Sequence, residues 1–353
     1  MSELESRGAQ GAPSHAAVRA GGDALSWSLK LLSVGPLLIL VVLVVAVAIV
    51  TPAFVSPRNI GNIMAQTAVI AVVAIGQHLV ILTRGIDLSV GANLALATVI
   101  GALVYTVTDS ALLVALAMLL TGAAVGAVNG LVYVFGRLPH PFIITLATLS
   151  IARGLALEFA VGHTTMRGMP EPITIVGGGT TSIFGLIAIP NSFFVVAGVV
   201  ALVFVMAKAM VWGRWIYAVG GKPEAAVQMG IPVKWVLVSV YVIAGLCAGI
   251  GAIILSGRTE AGSPLYGNLL ELDTIAAVII GGASFLGGRG HLGHALIGAV
   301  MIGVIRNALN LLNVDVFFQM IAIGLIIVLA VEADVLRNHL EARVRVLQAG
   351  RLN

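Results

Sequence analysis

The chain has 353 residues, 59% of them hydrophobic and only 10% charged, with a formal net charge of +4. A soluble domain carries about 25% charged residues, so no water-soluble core can hide this much apolar surface, and a bilayer is the solvent that removes the problem. The positive balance does not indicate nucleic acid, because the basic residues are scattered between apolar runs and form no cluster.

Residues 1–30 are rich in Gly, Ala, Ser and charge and read as a flexible tail. The next stretch, LLSVGPLLILVVLVVAVAIV, is apolar over about 20 residues, enough to span a bilayer. Its Ala46-Val47-Ala48 imitates a signal-peptidase site, but the apolar run continues through it, which disfavours a cleaved leader. Further runs of spanning or near-spanning length fall at 60–82, 89–107, 111–135, 141–161, 190–210, 235–256, 272–287, 292–312 and 315–333. The expected fold is an all-α, polytopic integral membrane protein of about ten helices. Residues 31–335 would form the membrane domain and 336–353 a second tail. The run at 272–287 is short and suits a broken helix.

Placing the N-terminus inside and alternating the spans puts 14 basic residues inside, 3 outside and 2 within spans, accounting for all 19. A cytoplasmic excess of Lys and Arg is the expected bias, so both tails are expected in the cytoplasm. The single cysteine, Cys247, permits no internal disulfide and reads as a small buried hydrophobe.

Polar residues in and beside these runs are the candidates for chemistry. Asp87 and Ser89 either cap the next helix or line a path where a helix is broken, and Asn93 follows on that helix. Gly122, Gly126 and Gly130 make two overlapping GxxxG steps, a face for close helix approach within the chain or to a second copy. Arg153 and Glu158 are too poorly spaced for a same-face pair. The loop at 162–189, with Pro170, Pro172 and Gly177-Gly178-Gly179, would either receive a partner or act as a spacer. Glu271 and Asp273 suit the positive end of a helix dipole. Asn307, Asn310 and Asn313 recur along one stripe beside Arg306, and their amides suit sugar hydroxyls; alternatively, that helix end already sits among headgroups. Gly288-Arg289-Gly290-His291-Leu292-Gly293 is a literal GxGxxG, but it joins two membrane runs and lacks the strand–turn–helix context of a dinucleotide site. Gly221-Lys222 lacks the rest of a phosphate loop. His291 and His294 have no carboxylate or thiol company. No catalytic residues, cofactor or metal are therefore expected.

The loop at 211–234 carries GRWIYAVGGKPEAAVQMGIP. A short helix over Glu224 to Met229 is expected, with Pro223 at its first position and with turns allowed by Gly220-Gly221 and Gly230. Glu224-Ala225-Ala226, followed after three residues by Gly230, resembles the coupling-helix motif of ABC-importer permeases. The wider pattern resembles the ribose-type sugar ABC transporter permeases. So do LTRGIDLSVGANLALATVIGALV (82–104), TLATLSIARGLAL (145–157), LDTIAAVIIGGASFLGGRG (272–290) and NALNLLNVDVFFQMIAIGLIIVLAV (307–331). Together these cover most of residues 60–332. One departure is Arg84, where the family often has Gly.

The resemblance implies a permease in the bacterial inner membrane, paired with a second permease copy and embedded in lipid. It implies a cytoplasmic ATPase subunit on Gly220, Gly221, Glu224, Ala225, Ala226 and Gly230, and an external substrate-binding protein. Its best-known members carry neutral sugars, and the amide and hydroxyl groups among the candidate path residues agree. A branched-chain amino acid permease remains the alternative; zwitterionic cargo would want a charged pair in the path, and none is evident in the sequence. An ion-coupled secondary transporter would have no use for a coupling loop.

Overall fold

The computed structural model describes residues 37–183 and 187–349; the tail expected at 1–30 and the first part of the run at 31–50 lie outside the described residues. The helices are α1 (Leu37–Val50), α2 (Pro57–Leu82), α3 (Val90–Val107), α4 (Ala111–Phe135), α5 (Phe142–Phe159), α6 (Glu171–Gly178), α7 (Asn191–Ala209), α8 (Val211–Gly221), α9 (Pro223–Gln228), α10 (Val233–Thr259), α11 (Leu270–Ile280), α12 (Leu292–Leu311) and α13 (Val316–Ala349). Seven of them, α2, α3, α4, α5, α7, α10 and α12, are long and apolar enough to cross a membrane. Leu37–Val50 and the Val316–Glu332 part of α13 are shorter apolar helices. The polytopic α-helical architecture expected from the hydropathy is the one formed. α13 runs unbroken across the boundary expected at 335.

Local sequence sets several ends. Ser56 caps α2 through a hydrogen bond from Asn59 N, with Pro57 in the first turn, and Ser110 caps α4 through Leu113 N. These side chains satisfy amides that a helix start leaves free. In the interior, α2 and α10 are wrapped by the other helices; Val72, Ile75 and Val80 of α2 and Val240, Ala248 and Ile254 of α10 are fully buried. α4, α5 and α7 form an outer ring and turn Leu112, Leu120, Ile151, Leu202 and Phe204 outward. A helix apolar on all sides needs lipid on its free face.

Since lipid is as apolar as the side chains, close packing through small residues has to hold such helices together. The Gly122, Gly126 and Gly130 stripe packs within the chain, against α10. A Cβ on Gly130 would come within 2.9 Å of Val238 Cα, and one on Gly126 within 3.2 Å of Gly245 Cα.

The segment at 162–189 is built rather than slack. β1 (Met166–Arg167) pairs antiparallel with β4 (Ala261–Gly262), and β2 (Thr180–Ile183) forms a hairpin with β3 (Ile187–Pro190). Between them α6 lies on the end of α10, where a Cβ on Gly177 would come within 2.5 Å of Arg258 N.

Two non-helical segments enter the bundle. After α2 ends, the chain folds back: in its satisfied orientation the Gln77 amide donates to Asp87 O at 3.2 Å and accepts from Asp87 N at 3.3 Å. The return covers about 7.5 Å, the helical rise from Gln77 to Leu82. On the far side of α3, Ser263 N donates to Thr98 Oγ1 at 3.2 Å, midway along the helix. Gly267 lies against Gly91 in the first turn of α3, where an added Cβ would come within 3.0 Å of the Gly91 carbonyl carbon. α11 starts there. Its 11 residues rise about 16 Å, half of the about 30 Å of a bilayer core, as the short run at 272–287 suggested.

Candidate functional site

At one end of the bundle, α8 and α9 lie across the helix ends. α8 buries Gly213, Ile216, Val219 and Gly220, a stripe of three- and four-residue steps that seats one face on the bundle. Lys222 breaks the helix with extended backbone, and Pro223 opens α9. α9 covers Pro223–Gln228, one residue earlier at each end than expected. Ala226 is its buried foot, while Glu224, Val227 and Gln228 face outward.

The end of α9 is closed by backbone bonds. Ile231 N donates to Ala226 O at 3.1 Å and Gly230 N to Val227 O at 3.0 Å. This is a Schellman closure with the left-handed residue just past the cap, and Gly230 has φ +76°.

Gly220 and Gly221 do not make the other turn, as the sequence suggested. Both belong to the last turn of α8. Gly220 is small because neighbouring backbone presses on it: a Cβ there would come within 2.7 Å of Gly288 N. Around this contact, Gly288 N donates to Leu82 O at 2.8 Å, Tyr217 Oη to Gly290 O at 3.0 Å and Arg84 Nε to Gly220 O at 2.6 Å. Arg84 also donates through Nη2 to Gly221 O. The guanidinium thus closes the carbonyl end of α8, where positive charge is favoured. Arg84 sits at φ +65°, a conformation natural to Gly, which explains why the resemblance puts Gly at this position. Of the GxGxxG glycines, Gly288 and Gly290 lie in the turn between α11 and α12, with Gly288 at φ +70°, and Gly293 belongs to the first turn of α12.

The returning segment 83–89 carries a buried polar cluster. Asp87 Oδ1 accepts from Ser89 N at 2.8 Å and from Ser89 Oγ at 2.6 Å. Asn129 of α4 donates to Ser89 Oγ at 2.8 Å, and Thr148 of α5 donates to Asn129 Oδ1 at 2.6 Å. Ser89 holds the cap position of α3 without a side-chain cap bond; the cap-like contact is Asp87 with the Ser89 amide. Asn93 donates to Gly122 O at 3.1 Å. Asn129 and Thr148 belong to this cluster and were not singled out in the sequence, where an amide and a hydroxyl within apolar runs carry little signal.

The Asn stripe divides. Asn59 and Asn307 exchange amide bonds at 2.9 and 2.8 Å. Asn310 Oδ1 accepts from Gln319 at 2.9 Å. Asn313 is a left-handed turn residue at φ +53°.

The charges at the head of α11 correct another expectation. Asp273 forms an ion pair with Arg306 of α12, at 2.7 Å through Oδ2, so a charged pair does exist inside the membrane domain. Arg153 of α5 reaches the carbonyls of Pro264 and Tyr266, the latter at 2.9 Å. Glu271 lies within electrostatic range of both Arg153 and Asp273. These partners explain why Arg153 had none on its own helix.

Among known proteins, residues 59–331 match a family described as branched-chain amino acid transport system / permease component. The chain is 39% identical over 309 residues to a ribose import permease protein of Bacillus subtilis, covering 85% of this chain and 92% of that one. It is 36% identical over 302 residues to a D-allose transport system permease protein of Escherichia coli, covering 85% and 90%. It is also 33% identical over 305 residues to an L-arabinose ABC transporter permease protein of Azospirillum brasilense, covering 86% and 88%. No solved structure matches the chain.

Proposed function

Because the chain belongs to the family of ribose-type sugar ABC transporter permeases, we propose that it forms the membrane passage of an ATP-driven importer for a neutral pentose or hexose. The observation that carries the reading is α9: a short helix closed by the turn at Gly230, with Ala226 seated on the bundle and Glu224, Val227 and Gln228 turned outward. Such an element transmits force without bending. In this reading Gly220, Gly221, Glu224, Ala225, Ala226 and Gly230 form or support the surface on which a separate cytoplasmic ATPase subunit docks. A binding protein delivers cargo at the other end, and two permease copies in the lipid bilayer enclose the path.

The cargo class rests on the relatives, which are named for ribose, allose and arabinose. A second reading, a branched-chain amino acid, is favoured by the matching family's description and by the Asp273–Arg306 pair. An ionic cargo needs counter-charges in a low-dielectric passage, and this pair already satisfies itself. Of the polar groups considered as path residues, Asn307 and Asn310 are occupied by Asn59 and Gln319. The experiment is uptake competition in vesicles carrying the full complex, with labelled ribose, xylose, galactose, leucine and a nucleoside. Sugars are expected to compete. Uptake of leucine with no competition from any sugar would replace the sugar with the amino acid.

A further inference from the structure

Of the residues that looked like path linings, Asp87, Ser89, Asn93 and Asn307 are each 4% exposed or less, while Asn310 and Asn313 at the end of α12 are exposed. A different surface has the opposite character to the buried four. Segment 263–269 is non-helical, yet it runs beside α3 from the middle of that helix to its first turn. Asn268 on it is exposed and Tyr266 partly so; Glu271 and Arg153 beside it are also partly exposed.

Irregular backbone and charged side chains at bilayer depth cannot face lipid, whose tails offer no hydrogen bonds. They are tolerated only inside protein or on a water-filled cavity. The chemistry here is that of polyol recognition. A carboxylate accepts from hydroxyls, an amide donates to them, and an aromatic ring stacks on a sugar's C–H face. No side-chain donor among the described residues bonds the Glu271 carboxylate; Arg153 and Asp273 act on it through space. Arg306 is already spent on Asp273.

We infer that segment 263–271, with Arg153 facing it, lines the water-filled passage, and that Tyr266, Asn268 and Glu271 touch a hydroxyl-rich cargo there. The inference rests on the permease reading and adds the place where the cargo meets the chain. Arg153 is a positioning residue, since its Nη1 holds the segment by two backbone carbonyls.

Thiol accessibility in the assembled complex tests this. Cys247 is buried, and Cys247→Ala gives a cysteine-free background. In it, Tyr266→Cys and Asn268→Cys should react with a charged, membrane-impermeant thiol reagent, and the transported sugar should slow that reaction. Leu120→Cys, on an outward apolar face of α4, should stay unreactive. Glu271→Gln should lower sugar uptake about tenfold, the loss of one hydrogen bond to a charged group, with docking of the binding protein unchanged. Absence of labelling at both positions in a complex that still imports sugar overturns the inference and leaves the permease reading intact. A complex that imports no sugar overturns the sugar cargo, and this inference with it.

Discussion

Gly230 is the residue on which the closure of α9 depends. Its φ of +76° costs an L-residue with a Cβ roughly 1–2 kcal/mol, more for a β-branched one, and the space around it is open. The penalty is therefore backbone strain rather than collision. Gly230→Val is expected to insert normally, because the loop lies outside the spans, and to loosen the turn that holds α9. In the reconstituted complex, stimulation of ATP hydrolysis by loaded binding protein should fall together with uptake. Unchanged stimulation and uptake would remove α9 from the coupling role. Arg84 meets the same backbone constraint with a side chain, and its two bonds to the end of α8 offset the strain. Asp87 is a contrasting case: its buried Oδ1 accepts two hydrogen bonds from Ser89, which offset part of the cost of burying the group.

Packing of α4 on α10 is set by glycine at both surfaces. Gly126 faces Gly245, and Gly122 faces Gly249, so the two backbones nearly touch. Gly126→Ala is expected to destabilise the detergent-solubilised protein by about 1–3 kcal/mol, the cost of overpacking a close contact, read as a lower denaturation midpoint. Gly198→Ala on α7, where nothing lies near an added methyl, should show no loss, and its helix propensity should improve by up to about 1 kcal/mol. Equal effects at the two sites would mean that close approach is not what holds α4 to α10. The half-length α11 obeys a related logic. A helix starting inside the bundle needs partners for its first amides: Leu270 N bonds Gly267 O, and Leu272 N and Asp273 N bond Leu269 O, while Asp273 is neutralised by Arg306.

Across the whole molecule, the apolar runs at 60–82, 89–107 and 235–256 became α2, α3 and α10 with ends shifted by a few residues at most. The proposed orientation, both tails cytoplasmic, follows from the distribution of 14 basic residues inside and 3 outside. Reporter fusions at each terminus check it: a reporter active only in the cytoplasm should work at both ends, and activity of an external-side reporter at the C-terminus would overturn the ten-span arrangement. Part of the candidate site was legible in the same way. Pro223, Glu224 and Gly230 are local signals, read from a helix start and a helix stop. Gly220 carried a local signal that was misread, because its neighbours Leu82 and Gly288 are distant in sequence and only folding brings them together.

Hydrophobic length and the helix start and stop at Pro223 and Gly230 were determined by the sequence alone, because each depends on neighbours within a turn or a span. Tertiary structure alone decided which polar groups are spent on one another. Asn59 meets Asn307 across 248 residues, and Asn129 meets Ser89 across 40. Tertiary structure alone also decided that the segment before α11 runs inside the bundle. A polar residue in an apolar run must find a partner or water, but the run itself does not say which. That choice is made when helices pack, and it separates the buried cluster at Asp87 from the partly exposed surface at Glu271.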